Sequence, residues 1–395
     1  MNMDTSNKVL FSLISLNIIS IGLCSAQHVL EKEYAHMRAN DTIVKQEVAY
    51  KYPGRSGTDV FWNFSNLQKR KTPYRICYAG NDTLISANEH QTSYSYEMTD
   101  GDSLLLRGYR NRTTYFNAVR CGTELHYPFH YQDSLESFYY GEGKYSDKLA
   151  FISQGRVNVK ADAWGTMLLP GNDTLKNVIR VCLQKDICER ISINDSILLK
   201  IHGDRSILSD EKIQSHLLND TIMLRLKDYR WYAEGYRYPV FETVCCETLR
   251  LGIPIAYYTT AFYYPPEEHV YLENDPLNMQ LQELLKEKSL SAGHSHFSPE
   301  NDEDNHIQTD LSVYYNTYPN PVNENLSIEY YLSDTAPVYI RLFDLNGRLL
   351  VHKNLNMQRA GVHSETISMD TYSKGNYILQ LVVSDKTYVE KIIKE

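Results

Sequence analysis

YPNPV at 318–322 opens a C-terminal segment that continues through DLNGR at 344–348, GNYIL at 375–379 and KIIK at 391–394. Between these landmarks, apolar or aromatic residues alternate with polar ones in short runs, as expected for strands with one buried face. The Asn-Gly pair in the second landmark tolerates the positive backbone angles of a tight hairpin turn. Short strands at this spacing, with turn residues between them, predict a small Ig-like β-sandwich.

The order of the four landmarks resembles the type A C-terminal sorting domain of proteins exported by the type IX secretion (Por) system. We assign this domain to residues 313–395. The resemblance implies a β module that the type IX secretion machinery recognises, so this machinery is the expected partner. An Ig-like appendage without a transport role is the alternative, and periodicity alone does not reject it. The residues that carry the resemblance are Pro319, Asn320, Pro321, Asp344, Asn346, Gly347, Arg348, Gly375, Tyr377, Lys391 and Lys394.

The opposite terminus has the pattern of a signal peptide. A basic residue precedes the apolar run 9–23, and small residues follow up to Ala26. We therefore predict a signal peptide at 1–26, cleaved after Ala26. A lipoprotein would use Cys24, but Leu23 stands where a small residue is expected. The run is shorter than the roughly 20 residues that span a bilayer, so we expect no transmembrane span in the mature chain.

A signal at one end and a sorting domain at the other predict a secreted protein, or one on the outer surface of a Gram-negative bacterium. The chain has 395 residues, 32 of them Tyr, and a formal charge of −9. This acidic balance argues against nucleic acid as a partner, because that binding depends on clustered Lys and Arg. Six cysteines remain after the leader, and an exported chain permits disulfides. Cys182 and Cys188 are placed to close a hairpin, whereas the other pairings stay open.

Residues 27–266 are expected to form one large β-sandwich cargo domain of jelly-roll type, so that the whole protein is all-β. A Gly-rich loop at 53–57 precedes the run WNFSNL at 62–67. These features resemble the opening of an uncharacterised secreted domain that is often found ahead of this sorting domain. The resemblance continues at 163–170, 177–181 and 231–240, but it implies no activity.

Residues 267–312 are predicted to hold a short helix and a flexible linker. Asp275 and Pro276 are typical of a helix start, and leucines at 277, 281, 284 and 285 fall on one face. From 289 to 310 the chain is rich in polar residues and has little to bury, which is typical of a linker.

A short Asn-Asp-Thr/Ser unit recurs along the cargo segment. Asn and Asp favour turns, and the following Thr and aliphatic residue favour a strand, so hairpin turns explain the repeat. An alternative is that Asp-Ser/Thr followed by an aliphatic residue resembles an O-glycosylation signal, which would modify Thr83 and Thr174. The repeat occurs at 40–43, 81–84, 172–175, 194–197 and 219–222.

Few residues suggest chemistry. His126 and His130 lie close in sequence to Asp133 and Glu136, as in a metal or acid–base site, but histidines in an aromatic strand more often pack. A His-x-His at 294–296 lies in the predicted linker, where no scaffold would hold metal geometry. We therefore predict no catalytic residue, no metal site and no cofactor.

The leading hypothesis is a non-catalytic surface protein that binds a glycan, a peptide or an envelope protein, or serves structurally. The alternative is a secreted hydrolase of glycans or peptides, which needs two carboxylates, or a nucleophile and a base, in one cleft. A purely structural envelope component is the third hypothesis. Sequence spacing does not reveal which carboxylates approach each other in space.

Overall fold

The computed structural model describes residues 28–192, 209–293 and 311–395. The predicted signal peptide with Ala26, the repeat at 194–197 and the histidines at 294–296 lie outside these residues. The described chain is all-β, as predicted, with 22 strands. Their bounds are β1 Val29–Leu30, β2 Thr42–Val48, β3 Gly57–Asn63, β4 Tyr74–Gly80, β5 Leu84–Glu89, β6 Thr92–Met98, β7 Ser103–Arg110, β8 Thr114–His126, β9 Phe129–His130, β10 Ser134–Tyr145, β11 Leu149–Leu168, β12 Thr174–Ser192, β13 Ile222–Tyr232, β14 Phe241–Arg250, β15 Ile253–Tyr263, β16 Val313–Tyr318, β17 Asn325–Leu332, β18 Ala336–Asp344, β19 Leu349–Gln358, β20 Gly361–Ser368, β21 Gly375–Val383 and β22 Lys386–Lys394.

Three α-helices lie within the described residues: α1 Lys32–Ala35, α2 Asp210–Asn219 and α3 Pro276–Gly293. The α3 helix confirms the helix predicted from Pro276, but it continues to Gly293, past the predicted start of the linker at 289. Ser209 caps α2, since its side chain accepts a hydrogen bond from the backbone N–H of Lys212. Within the described ranges, the helices are too short or too polar to cross a membrane.

Twelve strands form one sheet that closes on itself. The order is β10-β8-β7-β6-β5-β4-β2-β15-β14-β13-β12-β11, and β11 pairs back onto β10 along Leu149 to Lys160. Each of these pairings is antiparallel, so alternate residues of every strand point into the enclosed space. The predicted jelly-roll sandwich is therefore not confirmed, because these strands surround one interior instead of forming two separate sheets.

The sheet forks at β11. The first part of β11 pairs with β10, whereas Ala163 to Leu168 pair in parallel with β3. Beyond β3 the sheet continues into β16, β17 and β20 near the C-terminus. The closed sheet is thus physically continuous with the C-terminal domain, which we define as β16–β22.

The C-terminal domain consists of two sheets around one core. Strands β16, β17 and β20 form one layer, and a four-stranded sheet in the order β19-β18-β21-β22 forms the other. Inward residues of both layers are buried together, including Ile328, Tyr330, Ile340 and Leu381. This agrees with a small sandwich, while the Ig-like topology stays a prediction.

The pairing predicted for Cys182 and Cys188 is wrong. Both residues lie on β12, which continues through them without a turn. The run between them lacks Gly, Pro or Asn, so nothing in it breaks the strand. Cys182 and Cys188 are both free thiols.

Candidate functional site

The C-terminal landmarks, far apart in sequence, meet at one end of the four-stranded sheet. Asp344 at the end of β18 pairs with Tyr377 of β21, which pairs with Ile392 of β22. Gly375 pairs with Lys394 in the same ladder. The sheet register therefore brings three of the four landmarks into adjacent rows.

Asn320 attaches the remaining landmark, residues 318–322, to the last strand, β22. Its Nδ2 donates to the carbonyl oxygen of Lys391 at 2.7 Å, and its Oδ1 accepts from the backbone N–H of Ile393 at 2.9 Å. The backbone N–H of Val322 also donates to the carbonyl of Ile393, at 2.7 Å. The neighbouring Pro319 and Pro321 have no N–H to offer, so the Asn320 side chain supplies contacts that the backbone there cannot.

Asp344 organises the predicted hairpin turn, which is confirmed. Its Oδ1 accepts from the backbone N–H groups of Asn346 and Arg348, each at 2.9 Å. Gly347 has a φ of 79°, the left-handed conformation that glycine adopts without strain. The side chain of Arg348 is consequently left exposed beside the turn.

The remaining landmark residues divide between core and surface. Tyr377 is buried, and its hydroxyl donates to the carbonyl of Ser373 at 2.6 Å. Lys391 is exposed, and Lys394 is half-buried with its Nζ near the carbonyl of Glu395. This end of the domain therefore presents cationic groups above a fixed scaffold.

A loop of the closed sheet holds the C-terminal domain. The backbone N–H of Arg55 donates to Asn316 Oδ1 at 2.9 Å, and Arg55 Nε donates to the carbonyl of Tyr315 at 2.9 Å. The guanidinium lies 3.8 Å from the centre of the Tyr315 ring, a cation–π contact. Gly54 has a φ of 73°, and a Cβ there would overlap the Asn316 side chain. Glycine is thus required at position 54 for two reasons, its positive φ and the lack of space for a Cβ.

Arg180 supports this loop from below. It is 1% exposed and donates two hydrogen bonds to Asp162, at 2.8 and 2.9 Å. Its remaining N–H groups donate to the carbonyls of Pro53 and Arg55. Arg180 was not among the residues predicted from sequence, although a charged residue in the otherwise apolar run 178–181 was the available signal.

The segments 62–67 and 231–240 meet around this arginine. Trp62 and Trp231 pack edge to face with ring centres 5.9 Å apart, each 5.8 Å from the Arg180 guanidinium. Trp62 Nε1 donates to the carbonyl of Pro53 at 3.1 Å. These segments therefore form one core that fixes the loop at 53–57.

The closed sheet encloses a cavity of about 380 Å³. The cavity is lined along β15 by Tyr258, Thr260 and Phe262, and just beyond this strand by Tyr264. The exposed fraction of the side chain is 60% at Tyr258 and 3% at Tyr264. Tyr258 thus marks the mouth and Tyr264 the floor. The other aromatic residues of the wall are Tyr78, Tyr94, Tyr96, Tyr127, Tyr232 and Tyr238.

A buried lysine lies near the floor between two carboxylates. Lys45 Nζ is 3.1 Å from Glu89 Oε1 and 3.1 Å from Glu242 Oε2. Burial alone would favour the neutral form of Glu242, but Lys45 and Arg230 outweigh it and hold the pKa of this carboxyl below its usual range. Tyr264 donates a further hydrogen bond to Glu242. Lys45 and Glu242 are therefore both charged at neutral pH.

Asp228 lies between the mouth and this cluster. It is 5% exposed, and its Oδ2 is 2.6 Å from Arg230. Its Oδ1 has no hydrogen-bond partner among the described residues. Burial, only partly offset by Arg230, raises the pKa of Asp228 to about 7. The wall thus contains one carboxyl that changes its charge near neutral pH.

The histidine site considered from sequence is not assembled. His126 Nδ1 is 3.0 Å from Ser103 Oγ, whereas His130 Nδ1 is 3.2 Å from Asp133 Oδ2. Glu136 accepts from Asn158 instead. Within 28–192, 209–293 and 311–395, no three His, Cys, Asp or Glu side chains form a group that could hold a metal ion.

The copy of the Asn-Asp repeat at 81–84 forms a turn. Asn81 Oδ1 accepts from the backbone N–H groups of Thr83 and Leu84, at 3.0 and 2.8 Å. Thr83 and Thr174 are both exposed. Glycosylation at these threonines stays a prediction.

Comparison with known proteins identifies the C-terminal part of the chain. Residues 316–395 match the family model described as a secretion system C-terminal sorting domain. No curated protein sequence matches the chain. One similar solved structure is the crystal structure of dimeric latent PorU from Porphyromonas gingivalis, with 8% identity and a TM-score of 0.19. The similarity covers 90% of this chain and 34% of that one, about a third of its length, and at this TM-score it does not inform the fold.

Proposed function

We propose that the closed sheet is a non-catalytic binding domain. The C-terminal sorting domain makes the chain a cargo of type IX secretion, exported to the cell surface or the extracellular space. The ligand, of glycan, peptide or envelope origin, enters the cavity past Tyr258. In this proposal residues 1–26 are the leader, 27–266 the cargo domain, 267–312 the helix and linker, and 313–395 the sorting domain.

The cavity is the observation that supports binding over a purely structural role. Its volume of about 380 Å³ falls in the range of small-molecule sites, roughly 300–1,000 Å³. Its wall combines aromatic faces with a few fixed charged groups, which is the usual composition of such sites. A structural strand assembly has no need of buried charges in a hollow interior, because burying them costs free energy.

A ligand screen tests this proposal. We expect native mass spectrometry of protein purified from its own host to show a bound small molecule that is lost on denaturation. Tyr258→Ala at the mouth should reduce its occupancy, whereas Leu218→Ala, at a more exposed apolar residue on α2, should not. Absence of any bound molecule, together with no binding in a screen of glycans and peptides, would refute the proposal.

One observation favours the hydrolase as a second candidate. Asp228, with a raised pKa, and Glu242, with a lowered one, line the same cavity. Enzymes that use a carboxylic acid beside a carboxylate separate the two pKa values in this way. Turnover of a bound glycan that stops in Asp228→Asn, with binding retained, would favour hydrolysis over simple binding.

For the sorting domain, we propose that the secretion machinery contacts the end of the four-stranded sheet where the landmarks converge. The exposed side chains of Arg348 and Lys391 lie at this end, while Asn320, Asp344 and Tyr377 fix the backbone beneath them. Loss of export in Arg348→Ala and Lys391→Ala, with the domain still folded, tests this role. Normal export of both variants would exclude it.

A further inference from the structure

The wall of the cavity carries an excess of negative charge once Asp228 is ionised. Among the described residues that line it, Lys45 and Arg230 face three carboxylates, those of Glu89, Glu242 and Asp228. The other charged lining residues are neutralised individually, Glu124 by Lys185 and Arg237 by Asp275. Two cations against three anions leave a net charge of −1 when all are ionised.

Asp228 is the carboxylate that is least satisfied. Arg230 occupies its Oδ2, and no described group donates to its Oδ1. Glu89 and Glu242 each accept from a tyrosine hydroxyl in addition to pairing with Lys45. A buried acceptor without a donor is unfavourable. A ligand that donates an N–H to Asp228 Oδ1 therefore forms a hydrogen bond that the protein itself does not supply.

The sheet register places Asp228 where an entering ligand would meet it. At the mouth, Cys246 of β14 pairs with Leu226 and with Tyr258. Asp228 follows two residues further along β13, opposite Val244, and Arg230 opposite Glu242 lies deeper still. The unsatisfied carboxylate is thus one step inside the entrance and one step short of the buried cluster.

The aromatic wall suits a cation. Ring faces carry partial negative charge and attract ammonium and guanidinium groups. The ammonium of Lys45 already lies 4.1 Å from the centre of the Phe262 ring, so this wall accommodates such a contact. Tyr94, Tyr96 and Tyr258 supply further rings around the remaining space.

We propose that the cavity binds a small organic cation, whose primary amine or guanidinium donates to Asp228 Oδ1 and packs against the tyrosine rings. This inference rests on the proposed binding function and names the ligand class for the same cavity. It differs from a neutral-saccharide site, which would need paired donors and acceptors without net charge.

Isothermal titration of the full mature chain in amine-free buffer tests the inference. The probes are agmatine and spermidine, with N-acetylglucosamine as a neutral probe and citrate as an anion. We expect both amines to bind and Asp228→Asn to weaken them at least tenfold. Asp147→Asn, which removes the same charge from an exposed turn outside the cavity, should leave affinity unchanged.

The outcomes separate this inference from the function on which it rests. Binding of a neutral glycan or peptide that depends on Tyr258, without amine binding, overturns the cation and leaves the binding function standing. Failure of every probe and of the host-derived screen overturns both. If Asp228→Asn does not fold, Tyr258→Ala at the exposed mouth replaces it, and amine affinity unchanged in that variant refutes the cavity as the site.

Discussion

Replacing Asn320 by alanine tests how the sorting domain is assembled. The variant loses the hydrogen bonds to the Lys391 carbonyl and to the Ile393 N–H, at 2.7 and 2.9 Å. At about 1 kcal/mol net for each bond, the contact between the 318–322 segment and β22 should weaken by about 2 kcal/mol. Both hydrogen bonds lie outside the domain core, so the rest of the sandwich should stay folded.

Hydrogen exchange measures this effect locally. A loss of about 2 kcal/mol corresponds to roughly 30-fold faster exchange of the amides that the contact protects, those of Val322 and Ile393. Amides in the middle of β18 and β21 should exchange as in the wild type. Asn323→Ala is the matched control, because Asn323 is exposed and lies just beyond the segment.

Export of the same variants in the native host connects the contact to function. We expect Asn320→Ala to accumulate inside the cell and Asn323→Ala to reach the exterior normally. Unchanged exchange at Ile393 in Asn320→Ala would refute the structural reasoning. Faster exchange with normal export would instead show that the machinery does not depend on this contact.

Three further predictions concern the closed sheet and its junction. Gly54→Ala should weaken the contact between the closed sheet and the C-terminal domain, because the new Cβ overlaps the Asn316 side chain. After cleavage at a protease site introduced in 294–310, the closed sheet and the C-terminal domain should separate on gel filtration in this variant and co-elute in the wild type. Arg180→Met should lower the free energy of unfolding by about 3–5 kcal/mol, since it leaves Asp162 without its buried partner, and adding Asp162→Asn should restore part of this in denaturant titrations. Burial raises the pKa of native Asp228 from 3.8 to about 7, so its contribution to stability falls as the pH rises. Relative to Asp228→Asn, the wild type should lose roughly 2–3 kcal/mol of unfolding free energy between pH 5 and 8, and a pH-independent difference would contradict the assigned pKa.

Local signals in the sequence predicted the C-terminal domain well. The turn at 344–348 depends on residues within five positions, so its Asn-Gly pair was sufficient to identify it. The helix at Pro276 was likewise predicted from its first residues. Closure of the large sheet was not predictable in this way, because β2 pairs with β15, more than 200 residues later. Such pairings depend on the summed packing of many strands and leave little trace in any one of them.

The cavity was missed for a different reason. Along β13, Asp228 and Arg230 alternate with other residues, as on a strand with one face in water. Alternation reveals that two faces differ but not which one points inward. A polar face turned toward a hollow interior has the same sequence pattern as one turned toward solvent. The carboxylates that sequence analysis left unplaced, Glu89, Glu242 and Asp228, were therefore recognisable as neighbours only once the sheet was closed.

The attachment of Asn320 and Val322 to β22 has a consequence for protein synthesis. These residues emerge from the ribosome early in the sorting domain, but their partners at 391–395 follow about 70 residues later. A chain terminated before Lys391 has no strand to receive them, however well the cargo has folded. This end of the domain is thus assembled only once residues 391–395 have been made, and we expect chains truncated before Lys391 to lack it and to stay inside the cell.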